Sequence, residues 1–582
     1  MNTLERSVIR DNNHLELTTK TFDVLQFLIE NAGKAVTKDE ILGRVWNGSF
    51  VEESNLPVHI SKLRRLLNES KDRRFIETVQ GVGYRFVSPL EPVTENEWRI
   101  ASATSPAPQT STDRNSQSIA VLPLENESRD PSIDYLADGL TESLINGISH
   151  TPGLRVIARN TVIRYRNTTS DISELGSSLQ VGKLLSGRIR ISGENISISV
   201  ELTDTADSRH VWGERYDVPF SDIVETERTI VEEVQTILTT TIIDSSSLSV
   251  QTAANAESYK YYLMGEYVSQ KKVPSEMYKA IDYFRKSINY CPTNVHAHVA
   301  IVNAYRYLFV LDCVSYLETL SNIEPVLAVL AKLNQSIDVV QLMYAKLKLH
   351  LEWDVRGAEN RVKEALRLNP NLAEAHGLYA QLMCLLGREA EVEHQAKKML
   401  ALDPVSPISL RQVGRIFYHM EQYENAISYL EDAVELEPSD FHNLLLLAVA
   451  FAGLGDFERA LRLVKKSSAC QKNIETLAVT GYIEALAGNE NEAMEIVDKI
   501  TSDVDIKHSH PMNLARIYLA LGDKQKTYEL LELAFQQHAI ELYGLVVDPR
   551  LKPIRTERRF IDLLCRINSA HEMPSPLTRC IP

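Results

Sequence analysis

Apolar residues first recur at helical spacing at Phe22, Leu25, Leu28 and Ile29, which predicts a helix from about Thr18. Thr37-x-x-Glu40 reads as a capping box with Val36 and Ile41 as its hydrophobic staple, so a second helix opens there. It ends near Trp46, just before Asn47-Gly48. A third helix runs from about Asn55 to Leu67, with Pro57 in its first turn, where a missing N–H costs little. On a helical wheel Leu56, Ile60, Leu63 and Leu67 share one face and point to a core. Ser54, Val58, Ser61, Lys62 and Arg65 lie opposite, while Arg64 sits near the core edge, as a phosphate or salt-bridge partner would. The alternating runs "FIETV" and "YRFV", joined by Gln80-Gly81-Val82-Gly83, predict a β-hairpin.

The pattern changes twice more. From Ser118 short β-rich runs alternate with helical ones: strand, helix and strand to Tyr165, a helix near Ser173–Leu179, three strands, and a helix over 221–242. From about Ala254 the chain is helical and repeats itself. Pro370, Pro404 and Pro438 close the phrases "EALRLNP", "KMLALDP" and "DAVELEP" at intervals of 34 residues, the tetratricopeptide period. In 407–440, Gly414, Phe417, Ala426, Leu430, Ala433 and Pro438 stand where two paired helices touch and where the second ends. About seven such units are expected, with an irregular stretch near 308–340. The tail "DPRLKPIRTERRFIDLL" reads as a closing helix.

Composition divides the chain along the same lines. Residues 89–117 hold Pro89, Pro92, Pro106 and Pro108 among many Ser and Thr, a linker composition. The formal charge is −16, which excludes a chain that coats nucleic acid along its length. Residues 1–90 carry 13 basic and 12 acidic side chains, and six of the basic ones fall within 54–74 against two acidic. A localised phosphate-binding patch on an acidic body is the implication. The six cysteines form no CxxC pair and read as reduced thiols, mostly buried. No apolar leader is expected at the N-terminus, and the most apolar run, Leu444 to Leu454, is far too short for a bilayer.

Over about Leu15 to Val87, "LTTKTFDVLQFLIENAGKAVTKDEILGRVW", "SNLPVHISKLRRLL" and "FIETVQGVGYRF" resemble the winged-helix DNA-binding domain of OmpR/PhoB-type regulators. The resemblance implies that the third helix enters the major groove and the hairpin reaches the adjacent minor groove. It also implies that Ser54, Asn55, Val58, Ser61, Lys62, Arg64, Arg65, Thr78, Gln80 and Arg85 meet double-stranded DNA. The loop of Asn47, Gly48, Ser49, Phe50, Val51 and Glu52 stands where the family meets RNA polymerase. Gln80 and Ser54 stand where many members have Arg. Only "SVIR" and "HLEL" precede the first helix, where the family has four strands, so the opening sheet is reduced or begins upstream. Residues 118–244, with Leu136–Leu144 and Val211–Asp217, resemble the TolB N-terminal-like α/β domain, an interaction or sensing module without established catalysis.

The expected architecture is therefore multidomain: a winged helix-turn-helix over 1–88, a linker over 89–117, an α/β domain over 118–244, and an all-α tetratricopeptide solenoid over 254–570. That order resembles HilA-type regulators and implies a cytoplasmic DNA-binding transcriptional regulator, bacterial and without a phosphoacceptor domain. Its repeats would bind a protein or peptide, or form a homo-oligomer. The rival reading is a tetratricopeptide scaffold whose winged helix binds protein. No cofactor, metal or catalytic residue is expected. Asp130, Asp134 and Asp138 are spaced by four, but Pro131 breaks the helix that would align them. His508-Ser509-His510 reads as a solvated loop, since neighbouring residues do not face one another.

Overall fold

The computed structural model describes residues 1, 8–10, 13–15, 19–45, 55–67, 69, 74–79, 81–90, 117–128, 130–166, 171–239, 255–333, 336–471, 473–502 and 510–570. The N-terminal unit runs β1 (Val8–Arg10), β2 (Asn13–Leu15), α1 (Thr19–Glu30), β3 (Ala35–Thr37), α2 (Lys38–Val45), α3 (Asn55–Leu67), β4 (Ile76–Val79) and β5 (Gly83–Phe86). The capping box forms: the Thr37 amide donates to the Glu40 carboxylate at 2.7 Å, and the Glu40 amide donates to the Thr37 hydroxyl at 3.2 Å. Val36 and Ile41 are both buried beside it. Among the described residues the opening sheet is the β1–β2 hairpin alone. The wing gains an unexpected strand, because β3 pairs with β5 in the order β3-β5-β4. That pairing makes glycine necessary at Gly83, where a Cβ would collide with the Val36 carbonyl. Phe22, Leu28, Ile41, Leu56, Ile60, Leu63 and Tyr84 fill the core.

The middle unit comprises β6 (Ser118–Val121), β7 (Glu125–Asn126), α4 (Asp134–Ser149), β8 (Arg155–Val156), α5 (Arg159–Val162), α6 (Ile172–Leu179), β9 (Lys183–Ser192), β10 (Asn195–Asp204), β11 (His210–Pro219) and α7 (Ile223–Leu238). Its sheet order is β11-β10-β9-β6-β8, with β7 also on β9. The β6, β7 and β8 pairings are parallel and the β9-β10-β11 meander is antiparallel. Gly147 on α4 lets Val231 of α7 approach closely.

Sixteen helices then pair in sequence. The pairs are α8 (Ala256–Ser269) with α9 (Pro274–Tyr290), α10 (Val295–Val310) with α11 (Tyr316–Leu330), α12 (Asp338–His350) with α13 (Val355–Leu368), and α14 (Ala373–Leu385) with α15 (Glu389–Leu402). They continue as α16 (Pro407–His419) with α17 (Tyr423–Leu436), α18 (Phe441–Gly453) with α19 (Phe457–Cys470), α20 (Ile474–Leu486) with α21 (Glu490–Ser502), and α22 (Pro511–Ala520) with α23 (Lys524–Gln536). The expected seven units are thus eight among the described residues. The stretch near 308–340 hides one because α10 and α12 begin 43 residues apart, at 295 and 338, and α11 carries Pro325. Small residues do stand at the close contacts: a Cβ on Gly414 would lie 2.6 Å from Leu430 Cγ. The closing helix α24 (Arg558–Ala570) follows two 3-10 turns.

Two features were not legible in the pattern. First, the array turns back on itself. His538 stacks on Trp353 and Tyr316 with ring centroids 3.9 and 3.8 Å away, and Tyr543 accepts a hydrogen bond from Gln381 at 2.8 Å. The chain's own His538 and Tyr543 thus pack against α11, Trp353 and α14, far back along the array. Second, the middle unit and the array share a core, since Tyr259 and Leu263 of α8 pack into the sheet's apolar cluster. The cysteines correct another expectation. Of the five described, Cys291 and Cys384 are buried, Cys313 is half-buried, and Cys470 and Cys565 are exposed, the last two on outward helix faces.

Candidate nucleic-acid interface

The helix expected to meet DNA is α3, and its core face is buried as the wheel requires: Leu56, Ile60 and Leu63 are fully covered and Leu67 nearly so. Asn55, Val58, Ser61, Lys62 and Arg65 lie on the described helix, but their side chains are outside the described residues, as are Ser54 and Gln80. The loop of Asn47, Gly48, Ser49, Phe50, Val51 and Glu52 also lies outside them. Their expected roles stand on the sequence argument.

The hairpin separates two further candidates. Thr78 pairs opposite Tyr84, on the side facing α3, whereas Arg85 pairs opposite Glu77 on the other side. Arg85 and Glu77 form an ion pair at 3.1 Å, so its charge is already partly met within the wing. Thr78 accepts a hydrogen bond from Arg64 Nη2 at 2.6 Å, which ties α3 to β4.

Arg64 itself is engaged by a distant part of the chain. Its Nη1 meets Glu435 at 2.9 Å and Asp432 at 3.5 Å, both on α17 of the repeats. The Tyr84 hydroxyl donates to the other oxygen of Glu435, and Arg74 pairs with Glu431 at 3.5 Å. The side chains of Arg64, Asp432 and Glu435 are only 9, 10 and 11% exposed. Burial pushes the Glu435 carboxyl up, against the pull of Arg64 and the Tyr84 hydrogen bond. The Tyr84 hydroxyl is pushed well above its ordinary value by burial and by the neighbouring Glu435 charge. Desolvation opposes the Arg64 charge, but Glu435, Asp432, Glu431 and Glu69 together outweigh it and hold the guanidinium protonated. Of the two roles open to Arg64, it fills the intramolecular one in this structure. Sequence reasoning missed Tyr84, Arg74, Glu431, Asp432 and Glu435; the one signal was acidic density in "YLEDAVELEP".

The other sequence candidates resolve into structural roles. Asp130 caps a 3-10 turn through the Ser132 amide, Asp134 accepts from Asn126, and Asp138 pairs with Arg166 and Arg159. His510 opens α22 and pairs with Asp312 at 3.0 Å, while His508 and Ser509 lie outside the described residues. Among the described residues no helix is long and apolar enough to cross a membrane.

Three family descriptions match the chain. Residues 12–86 match transcriptional regulatory protein, C terminal; residues 115–234 match HilA/YgeH-like transcriptional regulator, second domain; and residues 417–478 match tetratricopeptide repeat. The transcriptional regulator HilA of Salmonella typhi is 23% identical over 532 residues, spanning 89% of this chain and 90% of that protein. The alkaline phosphatase synthesis transcriptional regulatory protein PhoP of Bacillus subtilis is 38% identical over 79 residues, 13% of this chain and 33% of its own. A putative adenylate cyclase 3 of Rhizobium meliloti is 41% identical over 126 residues, only 21% of this chain and 22% of its own. The chain therefore carries an OmpR/PhoB-type winged helix, a HilA-like second domain and tetratricopeptide repeats. Its relatives along nearly the full length are transcriptional regulators.

Proposed function

We propose that this protein, built in the domain order of the HilA regulators, controls transcription from the cytoplasm by binding double-stranded DNA. The third helix, α3, enters the major groove with Ser54, Asn55, Val58, Ser61, Lys62 and Arg65, and the β4–β5 hairpin turns Gln80 toward the minor groove. The carrying observation is the winged helix itself: a 13-residue α3 whose apolar face is spent on the core, followed by a hairpin wing. On this reading the opposite face of the helix is the one that meets base edges and phosphates. The loop of Asn47 to Glu52 contacts RNA polymerase, and the repeats serve protein contacts or self-association. No step of this reading needs catalysis or a cofactor.

The test is selection of genomic DNA fragments by the full-length protein, followed by a mobility-shift titration on the enriched fragments. Binding that is sequence-selective and falls steeply with added salt is expected. No enrichment over bulk DNA at any salt concentration overturns the reading in favour of a protein-binding winged helix.

A further inference from the structure

The acidic face of α17 is where the repeats reach the winged helix, and we propose that it is a docking site for which DNA competes. Glu431, Asp432 and Glu435 hold the DNA-binding domain closed against the repeats of the same chain, and duplex DNA displaces them. The proposal rests on the DNA-binding reading above and names how that site is regulated.

Three observations carry it. The first is position. Arg64 touches Thr78 on β4 and Glu435 on α17 at once, so α17 lies at the crease between recognition helix and hairpin. A helix in one groove and a wing in the next must straddle the phosphate backbone between them. An α-helix about 10 Å across occupying that crease excludes the backbone. The second is chemistry. Carboxylates at positions i, i+1 and i+4 of α17 meet Arg74, Arg64 and Tyr84 as phosphate oxygens would: anionic acceptors facing guanidinium and hydroxyl donors. The third is economy of packing. The faces of α17 that build the repeat are Ala426, Ile427, Leu430, Ala433 and Leu436. Glu435 is not among them, yet its side chain is 11% exposed, and Arg64 and Tyr84, which meet its carboxylate, both come from the winged helix.

The experiment compares the full-length protein with a full-length Glu431→Gln/Asp432→Asn/Glu435→Gln variant on a random-sequence DNA duplex. A charge-matched control carries Glu393→Gln/Glu458→Gln/Glu495→Gln, all exposed acids elsewhere on the array. If the closed form outnumbers the open one by about ten to one, opening it raises the apparent affinity about tenfold. The α17 variant should show that gain and the control should not. An equal gain in both overturns the proposal, because net charge alone then explains it. In parallel, Arg74→Cys/Glu431→Cys in the full chain is treated with a short bismaleimide, and the 74–431 link is sought by mass spectrometry. A link that forms and suppresses DNA binding supports docking. Absence of the link, or linked protein that binds DNA as well as unlinked, overturns it. If neither the unlinked protein nor the α17 variant binds duplex DNA, the DNA-binding reading fails and the proposal with it. Equal binding by those two while the link still forms removes the masking alone.

Discussion

Arg64 and its neighbours on α3 divide the work of one helix turn. Arg64, at the edge of the core, is bound by carboxylates of α17, whereas Lys62 and Arg65 belong to the opposite face of the wheel. Replacing Lys62 or Arg65 by Ala should weaken specific DNA binding by about 1–3 kcal/mol where the side chain reaches a base edge, or flatten the salt dependence where it meets phosphate. Mobility shifts at several salt concentrations separate the two, and unchanged affinity, selectivity and slope in both variants removes the groove assignment. A second ionic site carries stability instead of recognition. Asp548 accepts from Arg516 Nε at 3.0 Å and Arg550 Nε at 2.8 Å, and these guanidinium groups hold its carboxyl far below the usual range despite burial. Asp548→Ala strands two cations there and should cost about 3–5 kcal/mol, read as earlier denaturant unfolding of the C-terminal repeats.

The elements owe their limits to short-range rules and their partners to longer ones. Thr37 and Glu40 start α2, and the period of small residues brings α16 onto α17 through Gly414. The junction of α7 with α8 is different, because it buries an acid. Glu227 on α7 is 4% exposed and accepts from the Tyr259 hydroxyl on α8 at 2.5 Å. Burial pushes its carboxyl up to about 7 from an ordinary 4.5, with the Tyr259 hydrogen bond working the other way. A raised folded value means the neutral acid favours the fold. Its contribution is complete below about pH 4.5 and is lost as pH rises through about 7. Glu227→Gln should therefore raise the melting temperature relative to the parent at pH 8 and change it little at pH 4.5. A stabilisation equal at both pH values would mean that the carboxyl does not titrate between them.

Across the full chain the 34-residue period acquires a second use. Asn369, Asp403 and Glu437 precede the three repeat prolines, and the middle unit is fastened along the loops that carry them. Asn371 donates to the Ser149 and Leu154 carbonyls at 2.8 Å each, Thr161 donates to Asp403 at 2.8 Å, and Arg164 donates to the Leu436 carbonyl at 3.1 Å. A repeat that positions loops at a fixed rise offers a ladder of donors and acceptors, and the α/β unit docks on it. The winged helix docks on the same α17 whose last residue takes Arg164, through ion pairs. Limited proteolysis should cut first within 89–117 and release a folded fragment ending near residue 88. Because docking is ionic, that fragment should co-elute with the remainder at low salt and separate from it at high salt. Separation at every ionic strength would contradict the docked arrangement, and an unfolded fragment would show that the winged helix depends on α17.

The parts of this protein readable from residues alone are those written in near neighbours. The capping box, the apolar face of α3 and the hairpin glycines each lie within a few turns of chain, and the proline period repeats at a fixed 34 residues, so spacing along the chain specified them. The eighth helix pair escaped because the long connections before and after α11, 311–315 and 331–337, stretch the interval and blur the period. Strand β3 escaped because its three residues mean nothing until β5 lies beside them. The contact of Arg64 with Glu435 joins positions 371 apart in sequence. The wheel puts Arg64 near the core edge, as a phosphate or salt-bridge partner, but no linear reading names Glu435 as that partner. Only when the folded units meet does desolvation force those charges to find one another, and that is a property of surfaces, which no local period encodes.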